Sequence, residues 1–468
     1  MQHIIRQQYL HVEVNGTEFD GLALQRRLPD LCEHSLTPAL ERVLDRCVPA
    51  TEHLYLERLE IDVGAMALER LEHDLAAAVT SAVEKSLQEL LRSEATAPAN
   101  ISGSVRRTTT QQSLHEALRY FLQTGSLPWS FRLPAGQSFE QVLLQAWEEE
   151  PPAVTTSQAT NISILETLFF ASVRQRLLRQ FSNRFLTVLF QRLAPNAEKI
   201  REEIIQLLQN SAVPIDELKY FKRQLWETIL QQVAWRRTFS AYELIRATWQ
   251  TLPEQQTPRP MLERTIENYW PGTTATKEPS ESLAIDFPAP EKNSRQFIDR
   301  QELKEGLYVD CAGLVLLHPF LPQFFSGLGL ATNGKLLQPD RALCLLHFLA
   351  TGQIVAPEYE LVLPKILCNV PLETPVEANL ELTAAEQEEA AALLDAVIRH
   401  WEALHHTSAD SLRGTFLVRP GKISLRNDGD WLLQVEANSF DLLLDQLPWG
   451  IGMIKLPWME KMLWVEWR

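Results

Sequence analysis

The 468-residue chain has little of what most enzymes, nucleic-acid binders and secreted scaffolds display. No Gly-x-Ser-x-Gly elbow occurs, which excludes a serine hydrolase of that type. Lys and Arg number 44 against 60 Asp and Glu, for a net charge of −16. Dense basic clusters are missing, and Arg106-Arg107 is an isolated pair. Neutralising phosphate needs clustered cations, so nucleic acid is not an expected partner and a membrane is an improbable one. The 5 cysteines (Cys32, Cys47, Cys311, Cys344, Cys368) are odd in number and scattered among apolar residues. They read as reduced, buried thiols and not as a disulfide framework. The start, Met1-Gln-His-Ile-Ile-Arg-Gln-Gln8, has no signal-peptide apolar core, which adds to the expectation of a cytoplasmic protein.

Folded cores are well supplied: 45% of residues are hydrophobic, enough for about two to four domains. Half of the 12 tryptophans fall between Trp401 and Trp467. Such density implies either a well-buried domain or a docking face. The candidate docking residues are Phe320, Phe324, Trp449, Trp458, Trp464 and Trp467. From Cys311 to Gly334 no residue is charged, over a length that could span a bilayer. His318, Pro319, Pro322 and Gln323 interrupt it, and a buried core segment is the expected outcome.

Catalytic chemistry is hard to find, and we expect a non-enzyme without cofactor or metal. Gly329-x-x-x-x-Gly334-Lys335 has the spacing of a phosphate loop, but Leu336 stands where the Mg²⁺-binding hydroxyl belongs. Cys344-x-x-His347 lacks a second ligand pair and sits in an apolar helix. Glu386, Glu388 and Glu389 read as a solvated helix face. Arg174, Arg176, Arg179, Arg184 and Arg192 read as the polar side of a helical bundle, with contacts to an acidic partner as the other reading.

The expected fold is α+β and predominantly helical. Residues 1–92 read as a two-stranded α/β unit. Leu10, Val12 and Val14 mark one strand, ended by Asn15-Gly16. Leu54, Leu56, Leu59, Ile61 and Val63 mark a second, bulged at Glu57-Arg58. Helices are expected over 22–33 and 36–46, and a long one carries Leu68 to Leu90 on one stripe. Residues 93–110 read as a linker. A helical region over 111–252 follows, with capping boxes starting at Ser113, Ser138, Ser163 and Ser240. Its apolar stripes are Leu165–Phe185 and Leu218–Val233. Residues 253–301, punctuated by seven prolines from Pro253 to Pro290, read as a second linker. Residues 302–468 read as a mixed α/β domain. Its helices are 341–350 and 382–404, and its antiparallel meander runs over 416–419, 422–426 and 431–435. Two further strands are expected over 451–455 and 462–467. One phrase recurs: Leu118-x-x-Phe-Leu-x-Thr-Gly125 and Leu345-x-x-Phe-Leu-x-Thr-Gly352. It reads as a reused helix stop or as a duplication.

Several phrases together resemble the tape measure protein family of contractile injection systems, phage-tail-like particles with a sheath and an inner tube. Near the start they are His3-Ile-Ile5, Leu10-x-Val12-x-Val14 and Leu56-x-Arg58-Leu-Glu-Ile-Asp-Val-Gly64. Next comes Phe121-Leu-x-Thr-Gly125-x-Leu-Pro-Trp129. Later phrases are Gly313-Leu-Val-Leu-Leu-His-Pro-Phe320, Pro357-Glu-Tyr-Glu-Leu361 and Lys365-Ile-Leu-Cys368. The last are Leu447-Pro-Trp449 and Ile454-Lys-Leu-Pro-Trp458. The resemblance implies a non-enzymatic structural component acting in inner-tube and baseplate assembly. It implies inner tube, hub or spike and baseplate proteins as partners, with the particle's ATPase and further copies of the chain as additional candidates. An adaptor or assembly chaperone that stays in the cytosol is the alternative. A literal tape needs long helix, whereas Pro128, Pro134, Pro151, Pro152, Pro195 and Pro214 divide this middle region into short ones.

Overall fold

Apolar spacing decides the N-terminal helices. The computed structural model describes residues 3, 5, 8–15, 18–47, 52–56, 58–96, 105–134, 136–148, 164–211, 213–235, 239–252, 260–274 and 297–467. Helix α1 (Glu18–Leu31) runs through a π-helical turn (Cys32–Leu36) into α2 (Thr37–Cys47). The long α3 (Leu71–Thr96) buries Leu75, Val79, Val83 and Leu87 with Leu31, Leu36 and Val43.

Of the strands expected in this region, only the start of the second, at Leu54 and Leu56, forms among the described residues. β1 (Glu52–Leu56) pairs antiparallel with β2 (Val105–Thr109), which lies inside the stretch read as a linker. A strand of Val-Arg-Arg-Thr-Thr has no alternation of apolar side chains to advertise it; the ladder uses backbone groups alone. Residues 8–15 are exposed and outside any helix or strand. Leu59, Ile61 and Val63 pack half-buried on the α1–α3 core without joining a ladder. The bulge position Glu57 and the turn at Gly16 lie outside the described residues.

The chain divides into two compact units, Met1–Glu116 and Ala117–Arg468. The boundary falls inside α4 (Thr110–Thr124). The second unit continues with α5 (Phe139–Glu148), α6 (Ala171–Gln180), α7 (Asn183–Leu193), α8 (Pro195–Asn210), α9 (Ile215–Ala234) and α10 (Ala241–Thr251). Helix α11 (Pro260–Tyr269) follows, with Leu262, Thr265 and Ile266 buried, within the Pro-rich 253–301 stretch. Prolines 253, 258, 279, 288 and 290 lie outside the described residues.

Reciprocal caps form at Ser138 with Gln141 and at Ser240 with Glu243. The expected cap at Ser163 lies outside the described residues, and Ser113 sits inside α4. The exchange that opens α4 is between Thr109 and Gln112. The Leu165–Phe185 stripe belongs to more than one helix, because the Ser182 hydroxyl accepts from Phe185 N–H and starts α7. Leu218, Phe221, Leu225, Ile229 and Val233 do share the buried face of α9.

The last third folds as α12 (Arg300–Glu305), β3 (Leu307–Val309), α13 (Leu321–Gly327), β4 (Ala331–Thr332), β5 (Lys335–Leu336), α14 (Pro339–Thr351), α15 (Val362–Leu367), α16 (Ala384–His400) and α17 (Ala409–Leu412). Strands β6 (Gly421–Leu425), β7 (Trp431–Val435), β8 (Met453–Ile454) and β9 (Leu463–Trp467) complete it. The five-stranded sheet has the order β3-β6-β7-β9-β8, with β7 and β9 parallel. It is thus mixed, not a simple meander. The expected strand 416–419 does not form, because Arg413–Leu417 is a π-helical turn, and β3 takes the place beside β6. The uncharged Cys311–Gly334 stretch is core: Ala312 to Leu317 form a fully buried 3-10 segment. No helix among the described residues is long and apolar enough to cross a membrane.

One cluster of charges holds the second unit's helices to its C-terminal part. Arg176 of α6, read from sequence as solvated, is 0% exposed. Its Nε and Nη2 donate to the two carboxylate oxygens of Glu358 at 2.9 and 3.0 Å. Nη1 donates to Leu122 O and Nη2 to Glu373 O, each at 2.6 Å. Lys365 Nζ donates to Glu358 Oε1 at 2.7 Å and to Leu372 O at 2.6 Å. Burial pulls the Lys365 ammonium down from its usual pKa, and Glu358 opposes the shift. Two cations against one carboxylate are tolerated because main-chain carbonyls, including that of Leu122 at the negative end of α4, absorb the excess. Gly125 is required here on two counts. Its φ is +81°, and a Cβ would stand 2.3 Å from Glu358 Oε1.

The recurring phrase is the same helix stop built twice. Gly125 and Gly352 N–H donate to Phe121 O and Phe348 O, both at 2.8 Å. Thr124 and Thr351 donate back one turn, to Tyr120 O and His347 O. An arginine then covers the matching carbonyl: Arg176 on Leu122 O, and Arg413 on Leu349 O at 3.1 Å.

Two outcomes are expected. Glu358→Gln leaves Arg176 and Lys365 buried without a counter-charge, and should lower the unfolding free energy by about 3–5 kcal/mol in urea titrations. Glu388→Gln, on an exposed face, should leave it unchanged. The second outcome concerns Glu386. Hydrogen bonds from Arg341, then from Thr383, hold this carboxyl down to about 2 from 4.5, against the effect of burial. A carboxyl lowered in the fold stabilises fully above its unfolded value, and that increment is lost as pH falls from about 4.5 toward 2. The urea midpoint of Glu386→Gln should therefore fall less than the parent's across that window.

Candidate partner-docking surface

The five-stranded sheet sorts the aromatic candidates by parity. On β9, Leu463, Val465 and Trp467 are buried, whereas Trp464 and Glu466 point to the other face. Register extends both faces across the sheet. The inner one carries Leu307, Ile423, Leu433, Val435, Val465 and Trp467. The outer one has an apolar row, Met453–Trp464–Leu432, beside a polar row, Glu466–Gln434–Lys422. Gln434 donates to Glu466 at 2.8 Å across the polar row.

Trp464 is the candidate that stays accessible on this face. It is half-buried, with the Arg426 guanidinium 4.9 Å above its ring and its indole N–H 3.4 Å from Asp430 Oδ2. Met453 beside it is 54% exposed. Trp449 and Phe320 form a separate half-buried pair, 5.2 Å apart and edge to face, with His400 5.8 Å from Phe320. The Trp449 indole donates to Leu316 O at 3.1 Å.

Phe324, Trp458 and Trp467 are core residues. Trp458 lies 5.6 Å from Phe325 and donates to Leu367 O at 2.7 Å. Trp467 lies under the Arg419 guanidinium, which is itself paired with buried Asp441. The candidates therefore do not form one surface. Sequence reasoning missed Met453, Leu432 and Arg426. The alternation Leu-Trp-Val-Glu-Trp in β9 was the available signal that separates Trp464 from Trp467.

The remaining motifs are occupied by structure. Asn333 (φ 48°) and Gly334 (φ 73°) turn the β4–β5 hairpin, so the phosphate-loop spacing belongs to an Asn-Gly turn. Cys344 and His347 are both buried and have separate partners: the thiol reaches Glu377 O at 3.7 Å, and His347 Nε2 meets Glu360 Oε2 at 2.7 Å. Burial pushes the Cys344 thiol up to about 12. All five cysteines are free thiols. No group of three or more His, Cys, Asp or Glu among the described residues could hold a metal. The accessible face presents an indole, a thioether and a guanidinium.

Truncating the two tryptophans should separate core from surface. Trp458→Ala should cost about 3–5 kcal/mol in thermal or urea unfolding. Trp464→Ala should cost on the order of 1 kcal/mol, the scale of a half-exposed cation–π contact. Equal losses would place Trp464 in the core.

The family-like phrases quoted from the sequence touch one another here: Trp449 bonds to Leu316, Trp458 to Leu367, and Arg176 joins Leu122 to Glu358. No curated protein and no solved structure matches the chain. Over residues 2–467 it matches the family described as contractile injection system tape measure protein. The match spans essentially the whole chain, which therefore belongs to the contractile injection system tape measure protein family.

Proposed function

We propose that this protein is a non-enzymatic assembly component of a contractile injection particle, acting in the cytoplasm where inner tube meets baseplate. It engages tube, hub or spike and baseplate proteins through folded surfaces, of which the Met453–Trp464–Leu432 row is one. The observation that carries this reading is helix length. The longest helix among the described residues is the 26-residue α3, about 39 Å at 1.5 Å per residue. The longest described helix of the second unit, α9, has 20 residues and is folded against its neighbours. A span that measures a tube needs continuous helix; short packed helices and a charge-locked core favour docking.

A length-insertion experiment tests the reading. Adding a helical segment of about 30 residues between residues 274 and 297 leaves every described element intact. A ruler lengthens the tube by about 45 Å; a docking component leaves tube length unchanged. Electron microscopy of particles from the insertion strain should show the parental length distribution. A narrow distribution displaced by the full increment overturns the proposal. The chain should also be found in purified particles, and its absence from them would mark a cytosolic adaptor.

A further inference from the structure

Residues 10–14 carry the pattern of a strand and pair with no strand among the described residues. Exposure alternates strictly: Tyr9 is 86% exposed, while Leu10, Val12 and Val14 are 40%, 42% and 37%. The side chains of His11 and Glu13 are 90% and 89% exposed. A period of two means successive side chains on opposite faces, which is an extended backbone. From Leu10 to Asn15 no backbone N–H or C=O bonds to any described residue. A free row of donors and acceptors on an extended segment is a template for a second strand.

The chain's other strand-patterned run, Leu59–Val63, does not fill that place, and β1 and β2 pair with each other. What identifies the occupant is the segment's own symmetry. When two copies pair antiparallel about a two-fold axis at Val12, Leu10 of each faces Val14 of the other, and His11 faces Glu13. Every apolar residue meets an apolar one, and each imidazole meets a carboxylate on both sides of the axis. Within one chain these same two groups already approach to 3.5 Å. Parallel, in-register pairing would instead set Glu13 against Glu13, which is unfavourable directly across a ladder.

We infer that residues 9–15 form an antiparallel β-interface between two copies of this chain, with Val12 on the axis. A two-stranded ribbon is weak alone, so the pairing is concentration-dependent.

Disulfide trapping in the full-length protein tests it. Val12→Cys places two thiols opposite each other and should give a covalent dimer under mild oxidation. Leu10→Cys alone should not, because its two copies lie about 14 Å apart along the strands, beyond disulfide reach. A mixture of Leu10→Cys and Val14→Cys chains should cross-link again. Glu13→Lys should weaken trapping at position 12, and adding His11→Glu should restore it. Because the segment is exposed, all variants should melt as the parent does. Trapping of Val12→Cys no greater than the parent background from Cys32 and Cys47 overturns the interface. Equal trapping at positions 10 and 12 overturns the register. Amide exchange supplies an independent readout: protection of residues 10–14 should increase with protein concentration, and protection unchanged on dilution would place the partner strand within the chain and overturn the inference.

Discussion

Arg176, Glu358 and Lys365 meet in the interior of the second unit with no more than 2% of any of the three exposed. Burying an ion is costly, and an ion pair is neutral at best unless every remaining donor and acceptor is satisfied. Here that condition fixes the positions of many segments at once. The end of α4 must present the Leu122 carbonyl. The turn at Gly125 must leave room for a carboxylate. The 372–373 carbonyls must face inward, and Gln180 must accept from Glu358 N–H. An apolar core tolerates shifts of register that this network does not. It ties helices from the middle of the chain to residues 358–373 within the same compact unit.

Much of the fold could be read in advance wherever a local rule was sufficient. The stripes of α3 and α9, the caps at Ser138 and Ser240, and the two glycine stops are decided within a few residues, and each stands where its pattern puts it. What escaped depended on partners far away in sequence. Arg176 looks solvated because its carboxylate lies 182 residues on. β2 looks like linker because only its backbone is used. The run 416–419 has strand-like composition, yet β3, more than a hundred residues earlier, supplies the strand beside β6. The candidate surface divides along the same line. Tryptophan density announced a structured region, but which indole faces out was written in the alternation of β9 and could be oriented only once the sheet's inner face was known.

Several of the phrases that carry the family resemblance, those from Phe121 onward, are places where the second unit's core closes on itself. Indole N–H groups of two Leu-Pro-Trp phrases each donate to a main-chain carbonyl in another phrase, and a third contact runs through Arg176. Such residues identify a fold because they are structurally committed. A surface such as Met453–Trp464–Leu432 is free of that commitment.

The order of strands in the five-stranded sheet has a consequence for how the molecule is made. β9 is the last of these strands in the chain, yet it lies between β7 and β8, pairing with both. Until residues 463–467 have left the ribosome, the β3-β6-β7 ladder ends at β7, and β8 has no neighbour. The inner-face positions held by Leu463, Val465 and Trp467 are then empty, and Leu433 and Val435 are uncovered on that side. Domains fold broadly in the order of synthesis, so the N-terminal unit can be complete while this sheet still waits for the strand that joins β7 to β8. A nascent chain or a fragment stopped short of Leu463 therefore presents an open strand edge and exposed core side chains together, the combination that quality-control proteases and holdases recognise.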